Sequence, residues 1–300
     1  MKIYNNLKIN RKHQNSVIAI GNFDGIHLGH QKVINQARLK AKKTKLPFGI
    51  ITFEPMPVMF FNKIKNHRIN SSTQKESQLE KLKLNFLIVI KFNKIFSKYS
   101  AKKFIEEIIY KKTKCKYLFV SNNFKFGFKR KGNIKILKKY EKVFHYKTII
   151  TKPMMKKSQV ISSTLIRKKI TQGKIKETTK LLKRKWCVEG KVIKGQKRGR
   201  TMGFPTCNMK LSNYIIPKLG VYAVRVESLN FTRNGIANIG YKPTFNGQNL
   251  LLETNIFGFK QNLYNKVIKI SFKKFIRPEK KFKNLEHLKR QIKIDVLKAK

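Results

Sequence analysis

The stretch G-N-F-D-G-I-H-L-G-H, residues 21–30, decides the fold of the first half of the chain, because it joins a strand pattern to a helix pattern. Residues 16–21 are mostly apolar and β-branched, which predicts a buried strand. Residues 31–42 repeat apolar side chains at helical spacing, which predicts a helix. A loop between such elements lies at the carboxyl end of a strand, where open α/β sheets bind their ligands.

The alternation of strand and helix patterns continues after this loop. Residues 48–53, 86–92 and 117–120 predict three further strands, and Ser100 is the expected N-cap of a helix. This order predicts a nucleotidyltransferase-like α/β domain, with a Rossmann-type parallel sheet covered by helices on both faces.

The pattern changes near residue 186, where turn signals and short β-rich runs replace the long helical patterns. These runs predict a small antiparallel β-barrel or sandwich, of which we expect the barrel, followed by a helix over 285–298. We therefore expect one domain over residues 1–185 and a second over 186–300. The helical patterns at 163–171 and 174–184 are expected to close the first domain.

The chain carries 70 Lys and Arg against 14 Asp and Glu, for a formal net charge of +56. The basic residues are scattered along the whole chain, whereas a dedicated nucleic-acid surface gathers them in one stripe. The joint abundance of Lys, Asn, Ile and Phe is typical of a coding bias toward A and T. We therefore do not expect specific nucleic-acid binding, although the positive potential favours anionic substrates.

Targeting signals are not visible in the sequence. The longest apolar runs are only a few residues long, so we expect no membrane-spanning helix and no membrane partner. The first residues lack the apolar region of a secretory signal. The three cysteines lie far apart, which favours a reducing compartment over a disulfide scaffold or a zinc site. We expect a cytoplasmic protein.

The loop at residues 21–30 has the features of a phosphate site. Gly25 and Gly29 allow close approach of a phosphate to the backbone, and the following helix offers unpaired N–H groups to an anion. His27 and His30 are three residues apart, so both can point at one ligand and stabilise charge on a transferring phosphoryl group. The alternative is a turn with two incidental histidines. Because the loop lacks the P-loop pattern, adenylyl transfer at an α-phosphate fits better than γ-phosphate transfer.

Three further groups of residues are candidates for chemistry. Ser163, Thr164 and Arg167 start a helix, and they either cap it or clamp a leaving pyrophosphate. Residues 195–208 form a basic loop that contains Gly199 and Gly203, and Thr206 and Asn208 lie at its end. If this segment is extended, the side-chain oxygens of Thr206 and Asn208 face the same way and could bind one Mg²⁺. The alternative is an ordinary loop between strands.

Glu253 lies within a β-rich run of a chain that is poor in carboxylates. A carboxylate within reach of a substrate hydroxyl is a credible general base. The alternative is a strand residue that faces water.

Several motifs in this order resemble the prokaryotic bifunctional riboflavin kinase/FAD synthetases. In the first half they are G-N-F-D-G-I-H-L-G-H, T-F-E-P-x-P (52–57), N-F-K-F-G (123–127) and I-S-S-T-x-I-R (161–167). In the second half they are G-R-T-M-G-F-P-T-C-N (199–208), P-K-L-G-V-Y (217–222), A-N-I-G-Y-K-P-T-F (237–245) and F-I-R-P-E-x-K-F (275–282). The family pattern usually has alanine at the position of Cys207.

The resemblance implies a multifunctional transferase of flavin cofactor biosynthesis. Its barrel would phosphorylate riboflavin to FMN with Mg²⁺ and ATP, and its α/β domain would adenylylate FMN to FAD with release of pyrophosphate. The implied catalytic residues are His27, His30 and Glu253, and the implied metal ligands are Thr206 and Asn208. Asn123 and Arg277 would contact the flavin. The implied nucleotide and phosphate contacts are Gly21, Asp24, Gly25, Gly29, Ser163, Thr164, Arg167, Gly199 and Gly203.

Three other functions are compatible with the residues taken alone. A monofunctional adenylyltransferase with a degenerate barrel would make FAD from FMN but no FMN from riboflavin. A nucleic-acid-binding protein would show a steep salt dependence of binding and no flavin turnover. A structural flavin carrier would retain a chromophore and transfer nothing.

Overall fold

The computed structural model describes residues 1–156, 158–195, 199, 202–244, 247–259 and 261–300; for residues 242–244 and 247–249 it describes the backbone alone. The chain divides into two compact units. The first contains residues 1–64 and 72–162, and the second contains residues 65–71 and 163–300.

The first unit is built on a six-stranded sheet in which every pair of neighbours is parallel, in the order β1-β4-β3-β2-β5-β6. Its strands are β1 (Lys2–Tyr4), β2 (Val17–Ile20), β3 (Phe48–Glu54), β4 (Phe86–Lys91), β5 (Tyr117–Ser121) and β6 (Lys147–Thr151). Its α-helices are α1 (Leu28–Thr44), α2 (Pro57–Asn62), α3 (Ser72–Glu80), α4 (Lys94–Ser97), α5 (Ala101–Phe104) and α6 (Ile134–Lys139). A π-helical segment, Ile105–Lys112, continues α5, and Met155–Lys156 pairs with Gln159–Val160 as β7 and β8.

The position of β2 places the loop at residues 21–30 where a ligand site is expected. All four residues of β2 are buried, and apolar clusters cover both faces of the sheet. The chain runs from β2 outward through β3 to β4, and later returns to place β5 on the other side of β2. The carboxyl end of β2 is therefore the topological switch point of the sheet, the usual ligand position in open α/β folds.

The second unit is a six-stranded antiparallel barrel with the strand order β10-β13-β12-β11-β14-β9. A bridge between Ile193, after β9, and Asn208 in β10 brings the two ends of the sheet together and nearly closes the barrel. The strands are β9 (Cys187–Lys191), β10 (Cys207–Lys210), β11 (Gly220–Ser228), β12 (Phe231–Thr244), β13 (Gly247–Ile256) and β14 (Val267–Arg277). The helices are α7 (Ser163–Thr171), α8 (Ile175–Leu182) and the C-terminal helix α9 (Leu285–Ala299).

The predicted fold class is confirmed, and Ser100 does cap α5 by accepting a hydrogen bond from the Lys103 amide at 3.1 Å. The packing of α7 and α8 differs from the expectation that they close the first domain, because both helices belong to the second unit. Their contacts explain this: Lys218 N–H donates to Ile170 O, and Phe275 lies against Gly173. As a division between two functional domains, the boundary between residues 185 and 186 stays a prediction.

Residues 65–71 also belong to the second unit, although their neighbours in sequence belong to the first. Several long-range contacts attach this segment; among them, Trp186 Nε1–H donates to Ile69 O at 2.9 Å, Arg184 donates to Asn70, and Arg68 pairs with Tyr214 in a parallel bridge. No local sequence pattern predicts such an excursion, because it is fixed by partners a hundred or more positions away in the sequence.

Among the described residues, none of the helices combines the length and the apolar composition that a membrane crossing needs.

Candidate active sites

The two histidines of the first unit lie together at the start of α1. The Nδ1 atom of His27, the N-cap residue, accepts the backbone N–H of His30 at 3.3 Å. The rings stack with centroids 3.6 Å apart and an interplanar angle of 22°. Since Nδ1 of His27 accepts a hydrogen bond, Nε2 is the nitrogen that can donate to a ligand oxygen. The two side chains therefore lie together, and the binding of one ligand by both stays a prediction.

Backbone conformation and close packing shape the loop around these rings. Gly25 has φ +85°, and Phe23 and Ile26 also have positive φ values, of 47° and 38°. Such conformations are strained for residues other than glycine and concentrate at ligand sites. A Cβ on Gly29 would lie 3.0 Å from Ile161 O and 3.1 Å from the His27 ring, so the close approach excludes a larger residue. Gly21, whose N–H donates to Ile51 O, and the buried Asp24 complete the predicted loop.

Sequence reasoning did not single out Lys75, which lies beside this loop. Its side chain is buried, and its Nζ donates to Thr52 Oγ1 at 3.1 Å, while the Thr52 hydroxyl donates to Asn22 O at 3.2 Å. A buried ammonium next to a phosphate-type loop adds positive charge where an anion would bind. Among 70 Lys and Arg residues, no sequence signal distinguishes this lysine from a surface one.

Asn123 follows β5 and is exposed. Its Oδ1 accepts the Ser121 hydroxyl at 2.9 Å, and the neighbouring rings of Phe124 and Phe126 stack with centroids 5.4 Å apart. Because β5 is next to β2, Asn123 leaves the sheet at the same edge as the histidine loop. A contact with a flavin stays a prediction.

The predicted phosphate clamp at the start of α7 lies in the second unit. Ser163 is half-buried and Thr164 is exposed. Arg167 is half-buried, and its Nε donates to the backbone carbonyl of His67 at 2.8 Å. One guanidinium donor therefore holds the chain segment at 65–71, and a phosphate role for the other donors stays a prediction.

Strand register in the barrel brings three polar residues into one row. Asn208 of β10 lies opposite Glu253 of β13, which lies opposite Asn238 of β12. Directly opposed residues on neighbouring strands have Cβ atoms about 5 Å apart. All three line a cavity of about 620 Å³, and Thr206, Gly199 and Arg277 line it as well. The structure therefore gathers five of the predicted site residues of the second half in one place.

The Gly-rich loop approaches this row closely. A Cβ on Gly199 would lie 2.5 Å from Phe204 O and 3.3 Å from Thr206 Oγ1, and one on Gly195 would lie 2.0 Å from Asn208 Nδ2. Gly203 has φ +83°. Residues 196–198, 200 and 201 of this loop, and Phe245 of the motif at 237–245, lie outside the described residues.

Asn208 is the best candidate ligand for a cation in this cavity. It is 6% exposed, and its Oδ1 accepts no hydrogen bond from any residue that the structure describes. A buried amide oxygen without a donor is costly unless a ligand satisfies it. Oxygen is the ligand type that Mg²⁺ prefers, so this atom and the Thr206 hydroxyl fit a magnesium ion.

A second cavity, of about 520 Å³, adjoins the first at Thr206. Among its lining residues are Val192, Cys207, Thr254 and Tyr264. Burial raises the pKa of the Cys207 thiol to about 11, so this side chain is neutral at pH 7. The Thr254 hydroxyl is fully buried, and no described residue pairs with it.

The C-terminal helix forms one wall of the larger cavity through Leu288, Ile292 and Asp295. Arg277 is the last residue of β14, and its guanidinium forms an ion pair with the Asp295 carboxylate at 2.7 Å. Asn238 donates to Glu279 at 3.3 Å from the neighbouring wall. The contact of Arg277 with Asp295 was not foreseen from the sequence.

Comparison with known families assigns both halves. The chain matches the FAD synthetase family over residues 9–165 and the riboflavin kinase family over residues 182–300. A bifunctional riboflavin kinase/FMN adenylyltransferase from Buchnera aphidicola (pea-aphid strain APS) is 41% identical over 98% of this chain and 95% of the relative. A protein of the same description from Haemophilus influenzae is 39% identical over 97% of this chain and 95% of the relative.

A solved structure shows the same architecture over nearly the full length. A crystal structure described as a macrolide-efflux protein from Streptococcus pneumoniae has a TM-score of 0.87 and 31% sequence identity, and the match covers 99% of this chain and 97% of that one. Together with the fold, the two family matches and the near-full-length relatives show that this chain belongs to the bifunctional riboflavin kinase/FMN adenylyltransferase family.

Proposed function

We propose that this chain carries out both reactions for which its family is named, each in its own unit. The barrel phosphorylates riboflavin to FMN, and the α/β unit adenylylates FMN to FAD. The observation that carries the proposal is the row of Asn208, Glu253 and Asn238 in one cavity, together with the stacked histidines at the start of α1.

In riboflavin phosphorylation the terminal hydroxyl oxygen of the ribityl chain attacks the γ-phosphorus of ATP. Glu253 is the general base that accepts the hydroxyl proton, and ADP leaves with the electron pair of the broken P–O bond. Asn208 and Asn238 flank Glu253 in the strand register, so three polar residues lie side by side in the cavity. The neighbouring cavity with Thr254 takes the nucleoside part of ATP, whose base can satisfy the buried hydroxyl.

A magnesium ion fits the cavity through the Thr206 hydroxyl and Asn208 Oδ1. When bound, it neutralises charge on the transferring phosphoryl group. Gly195 leaves room for Asn208, because a Cβ there would lie 2.0 Å from Asn208 Nδ2, and Gly199 leaves room for the backbone before Thr206, because a Cβ there would lie 2.5 Å from Phe204 O.

In FMN adenylylation a phosphate oxygen of FMN attacks the α-phosphorus of ATP, and pyrophosphate leaves. His27 donates from Nε2, and with His30 and the N–H groups of α1 it stabilises the charge that develops on the phosphate oxygens. The ammonium of Lys75, behind the loop, adds a fixed positive charge to the same place.

ATP and FMN are anions, and riboflavin becomes one when it is phosphorylated. The positive potential of a chain with net charge +56 attracts such anions. We also propose that the protein acts in the cytoplasm on riboflavin, FMN and ATP, and that nucleic acid is not a specific partner.

One assay tests the proposal. Purified protein is incubated with riboflavin, ATP and Mg²⁺, and FMN and FAD are separated by chromatography over time. We expect FMN to appear first and FAD to follow. FAD made only from added FMN would leave the barrel without its activity, and no turnover of either flavin would refute the proposal.

A further inference from the structure

The ion pair between Arg277 and Asp295 is a largely buried charged contact in the cavity wall. Nε and Nη2 of Arg277 donate to Asp295 Oδ2 at 2.8 Å and 2.7 Å. The Asp295 side chain is 2% exposed, and its other oxygen accepts Gln291 Nε2 at 2.9 Å. A buried carboxylate with this many charge-assisted donors is held in one orientation.

The other residues of α9 make few buried contacts that attach the helix to the barrel. Only Asp295 and Ala299 of its 15 residues are buried, whereas Leu285 and Leu297 are exposed. Apolar contacts of Ala299 and Val296 with β11 and β12 lie near the end of the helix. The polar contact of Asp295 with the end of β14 is therefore what fixes the helix at the point where it lines the cavity.

The pair also orients the guanidinium. Arg277 donates Nε–H and one Nη2–H to Asp295, and one Nη1–H to Pro278 O. A guanidinium has five N–H groups in one plane, so two remain, and the carboxylate fixes the plane in which they point. The ring of Phe282 lies 5.6 Å from the guanidinium carbon and limits its movement on one side.

We propose that Asp295 is a positioning residue for riboflavin phosphorylation. It holds the guanidinium of Arg277 so that the remaining N–H groups face the polar edge of the flavin ring, and it seats α9 as the cavity wall beside that ring. This inference rests on the proposed function of the barrel. Because Asp295 touches no reacting atom, its effect falls on flavin binding and not on the phosphoryl-transfer step.

The test is Asp295→Asn, which keeps the shape of the side chain and removes its charge. We expect the KM for riboflavin and the Kd for riboflavin, measured by flavin fluorescence, to rise at least about tenfold. The KM for ATP and the kcat should stay within about twofold, and Asp295→Glu should restore part of the riboflavin affinity. Arg277→Gln should give a similar loss, with the double variant no worse than the single ones, because both changes break one interaction.

Two controls separate this effect from a general loss of structure. Adenylylation of added FMN takes place in the other unit, so it should be unchanged in each variant. Glu286→Gln alters a charge in the exposed first turn of the same helix and should leave both activities unchanged. The fluorescence of Trp186 reports whether each variant is folded. If Asp295→Asn is not folded by this criterion, Gln291→Leu is the second variant. Its riboflavin KM should rise by less than the value expected for Asp295→Asn.

The outcomes are distinct. A wild-type protein that makes no FMN refutes the proposed function itself. A wild-type protein that makes FMN, with an Asp295→Asn variant that binds riboflavin equally well, overturns the inference alone. An equal loss of ATP and riboflavin affinity also overturns it, because that is the result of an unspecific distortion of the barrel.

Discussion

At the residue scale, the candidate sites of the two units offer different side chains for the two proposed phosphate-transfer reactions. His27 and His30 offer ring N–H groups beside a helix N-terminus, which suits the stabilisation of charge on a phosphate already negatively charged. In the proposed mechanism Glu253 is the base that accepts the proton of the neutral riboflavin hydroxyl. A single substitution should therefore remove one activity and spare the other.

We predict that His30→Ala lowers FAD formation from added FMN by about 100-fold or more, because the charge-stabilising ring is lost. FMN formation from riboflavin should continue. Glu253→Gln should do the reverse, with riboflavin phosphorylation lowered by about 100-fold or more. Both rates are measured in the same preparation by chromatography. Loss of both activities in either variant would contradict two independent sites.

Gly195 gives a second prediction at this scale. Gly195→Ala places a methyl group 2.0 Å from Asn208 Nδ2, so the Asn208 side chain must move. We expect the kcat of riboflavin phosphorylation to fall by up to about 100-fold, because a displaced positioning group costs this much. FMN adenylylation should not change.

Gly190→Ala is the matched control for this prediction. It inserts a methyl group against the buried Met209 side chain, and neither Gly190 nor Met209 lines the cavity. Equal losses of phosphorylation in the two glycine variants would show that general crowding of the barrel, not movement of Asn208, causes the effect.

At the scale of single elements, the edge strand β1 is attached to the first unit by a titratable contact. The Tyr4 hydroxyl and His13 Nδ1 are 2.7 Å apart and buried, and the His13 ring stacks on Phe86 of β4 with centroids 4.8 Å apart. Burial, together with the charges of Lys12 and Lys2, lowers the pKa of His13 below its ordinary value of 6.5. The folded protein therefore prefers a neutral imidazole at this position.

From this lowered pKa we predict a loss of stability on acidification. Below about pH 6.5 the unfolded chain binds a proton at His13 that the folded chain resists, so the free energy of unfolding decreases until the folded pKa is reached. His13→Asn removes the titration. Urea midpoints of the two proteins, compared between pH 8 and pH 5, should diverge toward acid, with the wild type losing more. Parallel curves would contradict the prediction.

The C-terminal helix illustrates how one element can serve both stability and the site. Asn284 caps it by accepting the His287 amide at 3.0 Å, which explains why the helix begins at residue 285. Its inward side carries the carboxylate that holds Arg277. An element attached through so few apolar contacts depends on this ion pair for its position.

At the scale of the whole molecule, the charge is the dominant property. With 70 basic and 14 acidic residues, most basic side chains have no acidic partner within the chain. Lys111 forms ion pairs with Glu106 and Glu107 at the surface, and such pairs stabilise weakly. Self-repulsion therefore opposes the compact state.

We predict that moderate sodium chloride raises the melting temperature, because added ions shorten the range of the repulsion. Each kcal/mol gained in the free energy of unfolding should raise the melting temperature by roughly 2–4 °C for units of this size. Polyphosphate should act at lower concentration. Thermal melts at 20 mM and 200 mM salt, roughly bracketing the screened range, measure the effect, with a neutral osmolyte as control. A melting temperature that does not change with salt would refute the prediction.

The fold class and most of the candidate site residues follow from the amino-acid sequence alone. Alternating patterns fix where strands and helices form, because burial of one face requires them. The motifs at residues 21–30 and 199–208 carry their chemistry in adjacent residues, so local spacing is enough to recognise them. For the same reason the N-cap at Ser100 was predictable.

Which distant residues meet depends on the packing of the folded chain. The row of Asn208, Glu253 and Asn238 depends on strand register, which a one-residue shift would destroy. Gly49 is required because the Phe86 ring occupies the place of a Cβ at 2.1 Å. Lys75 beside Thr52 and Asp295 beside Arg277 are likewise set by packing between elements, because their partners lie 23 and 18 positions away in the sequence, where no local pattern reaches.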